Sequence, residues 1–365
     1  MTGDPRFLSP WRLLPHRVKR FYRGGRLLDE FRGVPAADAS DGDRPEDWVG
    51  SATRAWTPPG SSATDEGLGD ADVGGEVARV SDLLVEDPVA VAGAETVDRF
   101  GVTTGVLVKL LDAAVRLPIH CHPSREFARR HLASPFGKAE AWIILRTRAG
   151  EDDPPPTVRI GFRRDVGRDE LIDWIEAGRT EVLLDAMHER PTQAGDVWFI
   201  PPGVPHAIGA GIFMLEVEEP SDFSIVAETR DVPIHPADAH LGLGWGVAID
   251  AFDREGHDDS WVDGLVRHPV PANAPSEISL TDPRALSFFQ ADRLTIGTTP
   301  SRLSGEPRFL VGAVLSGEGS VRTEVGHLAI SAGDTFALPA AAVGAASLVT
   351  PVGMELIICR GGNAR

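Results

Sequence analysis

Two short blocks of sequence constrain this chain more than anything else in it. One is Leu117-Pro-Ile-His120-Cys-His122-Pro, followed after a short insert by Gly137-Lys138-Ala-Glu140-Ala-Trp142. The other is Gly195-Asp-Val-Trp-Phe-Ile-Pro201-Pro-Gly203-Val-Pro-His206. Side chains on a strand alternate with period two, so His-x-His puts both imidazoles on one face. A third histidine follows a turn of the form Gly-x5-Pro-x-Gly-x2, and a carboxylate lies between the blocks. Three nitrogens and one oxygen make the donor set of a divalent metal site that keeps positions open for a ligand. The fold must therefore bring two extended segments, distant in sequence, to one place.

The surrounding pattern is that of β structure. Gly105-Val-Leu-Val-Lys109-Leu-Leu-Asp112 is an apolar run suited to a buried strand, and Glu140 to Leu145 is another. From about residue 276 onward short β runs recur at regular spacing, as in an antiparallel sandwich or barrel. Gly333-Asp-Thr-Phe-Ala-Leu-Pro339 echoes Gly195 to Pro201 with the same gap from glycine to proline, and no histidine follows it. The expected fold is mainly β, with two β-barrels, one holding a metal and one metal-free. Residues 1–100 should be strands and loops packing on the central barrel, with 57–75 a surface loop. Residues 101–232 form the metal-binding barrel, 233–275 a linker with a helix near Trp245, and 276–365 the second barrel. A small helical insert is expected at about 165–190, because Leu171, Trp174 and Ile175 share a helical face ahead of Gly178. A short helix should follow Pro123.

Composition narrows the class. The chain has 365 residues, 42% hydrophobic and 25% charged, values typical of a globular protein with ample core. A net charge of −18 speaks against nucleic-acid binding. No apolar run is long enough to span a bilayer and no signal-peptide core is visible, so the expectation is a cytoplasmic protein without membrane contacts, as monomer or homodimer. The two cysteines, Cys121 and Cys359, cannot frame a disulfide scaffold. Only Lys19, Lys109 and Lys138 are lysines, and two of these fall in the motif region. Lys109 stands within an apolar strand, where a lone ammonium is costly. Glu216 and Glu218 share a strand face by period two.

At higher detail the blocks resemble a known family. Gly195-x5-Pro201-x-Gly203-x2-His206 matches the second cupin motif, and His120-x-His122 the start of the first. The stretches around Lys109, His120 to Ala128, Phe136 to Trp142, Gly161-Phe and Gly195 to Gly211 are similar, in order, to the class I (cupin-type) mannose-6-phosphate isomerases, and so are Leu215-Glu216 and Ser221-Asp222. The resemblance implies two cupin (jelly-roll) barrels and zinc, or another divalent metal, on His120, His122, Glu140 and His206. It places Lys109 and Lys138 in the substrate pocket and makes Glu216 an acid/base candidate. The implied reaction converts mannose 6-phosphate to fructose 6-phosphate, or acts on a related sugar, through a cis-enediol. Glu126 satisfies the generic cupin spacing for the carboxylate ligand, but it falls in the helix after Pro123, and Glu140 is favoured.

Four positions depart from the family. His120 stands for glutamine, Pro118 for a serine proposed to touch phosphate, Glu218-Glu219 for two glutamines, and Ile225-Val226 for Tyr-Arg. Arginine would bind an anion where valine cannot. Arg125 and Arg230 are the candidate substitutes. The departures motivate two alternatives: an isomerase of a non-phosphorylated sugar, or a non-catalytic sugar-binding cupin.

Overall fold

Leu107–Ala113 and Ile212–Glu218 are buried at every position, although they carry Lys109, Asp112, Glu216 and Glu218. Strands buried on both faces belong in the middle of a layered stack, and these two pair there side by side. The computed structural model describes residues 3–58, 60–62, 64–150, 153–268 and 275–363. Its ladders between strands are antiparallel.

A seven-stranded sheet runs in the order Val266–Arg267, Val197–Ile200, Glu140–Thr147, Ile212–Glu218, Leu107–Ala113, Glu46–Trp48, Arg17–Val18. A five-stranded sheet runs Met187–Pro191, Thr157–Phe162, His206–Ile208, His120–Cys121, Ile225–Val226. The two face each other, with side chains such as Glu140 and His206 meeting between them. The outer face of the first sheet is covered by apolar packing, with Phe213 against Phe31 at 5.6 Å between ring centroids. The same hydrophobic core continues through Trp11, Phe289, Val311 and Ile357 of a third, eleven-stranded sheet built mostly from the C-terminal residues.

The N-terminal hundred residues serve both assemblies. Arg17–Val18 and Glu46–Trp48 extend the seven-stranded sheet, while Trp11–Leu13 pairs with Thr335–Leu338 and with Asp70–Val73 in the third. The surface loop expected over 57–75 therefore ends in a strand, with Ala71 and Val73 buried on one face. The expectation of strands and loops before residue 100 also omitted the helices Val80–Glu86, Pro88–Ala92 and Ala94–Phe100. Each is too short to display a helical period. Local capping defines the middle one: Asp87 accepts from Ala90 N at 2.9 Å and Pro88 opens the first turn.

The helical insert comprises Arg168–Glu176 and Thr180–Ala186, and Leu171, Trp174 and Ile175 are buried in a core with Phe162 and Phe252. The glycine–proline echo is geometric as well. Gly195 and Gly333 have φ of 90° and 88°, and each leads into a strand, Val197–Ile200 or Thr335–Leu338. They diverge after the proline. The first copy turns into His206–Ile208, whereas the second enters the helix Ala340–Val343 and has no equivalent of His206. No described helix is long and apolar enough to cross a membrane.

Candidate functional site

His120 and His206 are directly opposed across the ladder between their strands, so their side chains leave the sheet on the same face. His122 follows two residues after His120. Gly203 ties the blocks together, its N–H donating to His122 O at 2.7 Å with φ at +88°, and a Cβ there would meet Ala251 O at 2.9 Å. Each imidazole is held through Nδ1 by a backbone carbonyl at 2.8 Å: His120 by Pro118, His122 by Phe223 and His206 by Val204. A carbonyl only accepts, so each Nδ1 carries the proton and each Nε2 presents a lone pair.

Those Nε2 atoms converge. His120 Nε2 lies 2.9 Å from His206 Nε2, and Glu140 brings its oxygens to 3.0 Å from His122 Nε2 and 3.3 Å from His206 Nε2. Burial moves all three imidazoles down, to about 3 for His120, about 4 for His122 and about 3 for His206, so all are neutral near pH 7. Burial opposes ionisation of Glu140, but the Lys138 ammonium prevails and holds its pKa well below 4.5. Trp142 steadies the carboxylate, donating Nε1–H to Glu140 at 2.9 Å. Lys138 answers the His122 lone pair and the Glu140 carboxylate, whereas the facing Nε2 lone pairs of His120 and His206, 2.9 Å apart, repel unless a cation lies between them. This donor set fits a divalent ion. His120 is the half-buried member and opens toward the cavity.

The opposite sheet supplies charge. Glu216 stands across the ladder from Lys109, and Glu218 across from Glu140. Lys109 lies 2.9 Å from Glu218 and 3.4 Å from Glu216. Lys138 bonds Glu140 and lies 2.8 Å from Glu218, 3.9 Å from Glu216 and 2.9 Å from His122 Nε2. Burial alone would discharge the lysines, yet the carboxylates raise both pKa values above 10.5. Burial, then the neighbouring Glu218, pushes Glu216 well above 4.5; burial likewise raises Glu218. Glu216 lines the cavity together with His120, His122, Lys109 and Lys138, whereas Glu218 is fully covered beneath the lysines. Of the two acids, only Glu216 faces a ligand.

The cavity, of about 240 Å³, is completed by residues that the motifs did not single out. Arg20 reaches in from the N-terminal arm, 2.9 Å from Glu46 and 3.0 Å from Asp222, with its guanidinium 5.0 Å from the Trp48 ring centroid. Glu46 also accepts from Tyr22 OH and, at 2.7 Å, from Trp48 Nε1. Burial opposes its charge, but Arg20 and Lys109 hold its pKa down at about 2. Asp222 additionally accepts from Trp56 N at 2.9 Å. Phe21 and Tyr22 form a bend and line the cavity together with Arg20, so no strand period marked them in the sequence.

The proposed arginine substitutes do not reach the cavity. Arg125 bonds Glu219 at 2.6 Å and Ser287 O at 2.9 Å, and Arg230 is exposed near Ala177 O. Glu126 is also remote from the imidazoles, exposed on the helix Arg125–His131 and paired with Arg130 at 3.2 Å. Cys121 is buried on the face away from the imidazoles, with Ile119 and Phe127.

Comparison with known proteins gives one consistent group. No protein-family profile matches the chain. It is 26% identical over 237 residues to a mannose-6-phosphate isomerase of Bacillus subtilis, covering 64% of this chain and 69% of that protein. It is 28% identical over 240 residues to the mannose-6-phosphate isomerase of Streptococcus mutans, covering 64% and 68%. Among solved structures, the mannose 6-phosphate isomerase from Bacillus subtilis superposes with a TM-score of 0.65 at 21% identity, covering 96% of this chain and 99% of that one. A zinc-bound mannose 6-phosphate isomerase superposes with a TM-score of 0.68 at 16% identity, covering 97% and 100%. The overall cupin-type, mainly β fold is shared with these enzymes.

Proposed function

We propose that this chain, a divergent class I mannose-6-phosphate-isomerase-like protein, interconverts an aldose and a ketose through a cis-enediol at a divalent metal held by His120, His122, Glu140 and His206. The observation that carries the reading is the convergence of the imidazole Nε2 atoms and Glu140 at the end of a cavity lined by His120, His122 and the acid Glu216. Zinc is the ion taken first, because a zinc-bound enzyme is among the similar structures, and this donor set also accepts other divalent ions. Bound there, such an ion supplies Lewis-acid polarisation of the sugar's carbonyl and neighbouring hydroxyl.

The chain's own residues do the rest. Glu216 is the group that moves the proton between C1 and C2: its carboxyl lines the cavity, and burial together with the neighbouring Glu218 raises its pKa above the ordinary carboxylate range, which strengthens it as a base. Lys138 and Lys109 flank it and stay charged, so they stabilise the negative charge that develops on the oxygens of the enediol. Glu218 keeps both lysines in place from below. Trp142 and the three backbone carbonyls fix the donor orientations before any ligand arrives.

Purified protein loaded with zinc should interconvert mannose and fructose, free or phosphorylated, and incorporate solvent deuterium at the carbon that loses its proton. Proton NMR in deuterated buffer reads both. Absence of interconversion and of exchange across all four sugars defeats the proposal.

A further inference from the structure

Among the described residues, every basic side chain that lines the cavity already has a carboxylate partner. These are Arg20, Lys109 and Lys138. Arg20 is held by Glu46 and Asp222, Lys109 by Glu216 and Glu218, and Lys138 by Glu140 and Glu218. Against these three cations the same region sets Glu46, Glu140, Glu216, Glu218, Asp222 and, at the cavity wall, Asp238. A divalent ion at the imidazoles would offset part of the excess acid and compete with Lys138 for His122 and Glu140; Lys138 would keep Glu218, so among the described residues each cavity cation retains a carboxylate partner.

The wall beyond the metal-side imidazoles is apolar. Val226 is directly opposite His120 across their ladder, on the same sheet face. One step further along that face come Pro118, two residues before His120, and Ile208, two residues after His206. Leu117, Ile234 and Leu241 complete this side of the cavity. Three backbone donors there are taken as well: Val226 N–H donates to Ala239 O at 2.8 Å, Asp238 N–H to His235 O at 2.8 Å and Leu241 N–H to Asp238 O at 3.0 Å. A phosphate monoester brings about −1.5 to −2 charges and three strong acceptor oxygens, which need Arg, Lys or free N–H donors. Hydroxyl groups need only neutral partners, such as Ser224 Oγ, which also lines the cavity.

Building on the isomerase reading, we infer that the pocket takes an uncharged sugar, a free or deoxy aldose, whose end remote from the carbonyl lies against Val226, Pro118 and Ile208. Selectivity here comes from the absence of a free cation and the presence of an apolar wall, so a phosphorylated sugar is rejected by desolvation of its phosphate without a partner.

Mannose, 6-deoxymannose and mannose 6-phosphate separate the possibilities, measured on the zinc-loaded protein both as kcat/KM by NMR and as affinity by calorimetry. The expected result is at least a tenfold preference for the neutral sugars in both readouts, with 6-deoxymannose equal to or better than mannose. The variant Val226→Arg, which sets a guanidinium beside His120, should raise the affinity for mannose 6-phosphate relative to mannose at least tenfold. A native preference for mannose 6-phosphate overturns the inference and leaves the isomerase reading standing. Neutral-sugar binding without turnover or exchange overturns the isomerase reading and leaves the charge selectivity standing. No binding and no turnover with any of the three overturns both.

Discussion

Lys109 gives the sharpest test of how the charges in the cavity hold one another. Its ammonium is buried, 2.9 Å from Glu218 and 3.4 Å from Glu216, and sits 4.8 Å from the centroid of the Trp48 ring. Lys109→Met keeps most of the stem's packing and removes the charge. Glu216 and Glu218 are then left with Lys138, at 3.9 Å and 2.8 Å. Removing one partner of a buried ion pair costs about 3–5 kcal/mol, because the other charge is left uncompensated. The cost has a pH signature. Burial already raises both carboxylates above 4.5, and without Lys109 they rise further. A carboxylate with a raised folded pKa contributes stability that is complete below its unfolded value and lost as pH rises through the folded one. The variant's deficit relative to the parent should therefore be larger at pH 8 than at pH 5. Histidine effects are common to both proteins and cancel in that difference. Urea midpoints of metal-free parent and variant at the two pH values measure it, and Lys109→Met combined with Glu218→Gln should recover most of the pH 8 loss. Equal destabilisation at both pH values, with no recovery in the double variant, would refute the reasoning.

The neutral imidazoles make the fold acid-sensitive. Their folded pKa values, about 3, 4 and 3, lie below the unfolded 6.5, so the stability they give is present above pH 6.5 and lost as pH falls toward 3–4. At pH 5 the loss is about 2 kcal/mol for each, and metal release should coincide with unfolding in parallel indicator and circular-dichroism titrations. Release more than about one pH unit above unfolding would contradict protection of the donors by burial. Glu216→Gln should lower kcat by about 10²–10⁴-fold with metal content unchanged by elemental analysis, since it removes the proton carrier and no metal donor. His206→Ala should instead abolish stoichiometric metal binding in equilibrium dialysis, and a variant that retains full stoichiometry counts against the proposed ligand set.

Much of the site was legible because its determinants are local. Period-two alternation put His120 with His122 and Glu216 with Glu218; the ladder keeps the two glutamates on one face, and His122, just past its strand's end, meets the same carboxylate, Glu140, as His206. The turn through Gly203 required its particular backbone wherever the blocks met. Residues 168–176 were readable as a helix because three buried side chains repeat within it. The helices of residues 80–100 were not, since five to seven residues cannot display a period. Asp70–Val73 was hidden behind a turn-rich stretch, and its strand character comes from partners at either side of it, Trp11–Leu13 and Glu76–Arg79.

The charge balance of the cavity was not legible in the same way. Arg20 meets Asp222 across 202 residues of chain, and Arg125 turns away to Glu219. A basic residue in sequence carries no mark of which acid will neutralise it. That choice depends on which side chains the sheets bury together, and Coulomb interactions strengthen sharply once water is excluded. By itself the sequence determined the metal-donor pattern, because strand alternation and turn geometry act over a few residues. Only the tertiary structure decided that the described cavity cations are paired with carboxylates, because that depends on long-range contacts between the N-terminal arm and two facing sheets.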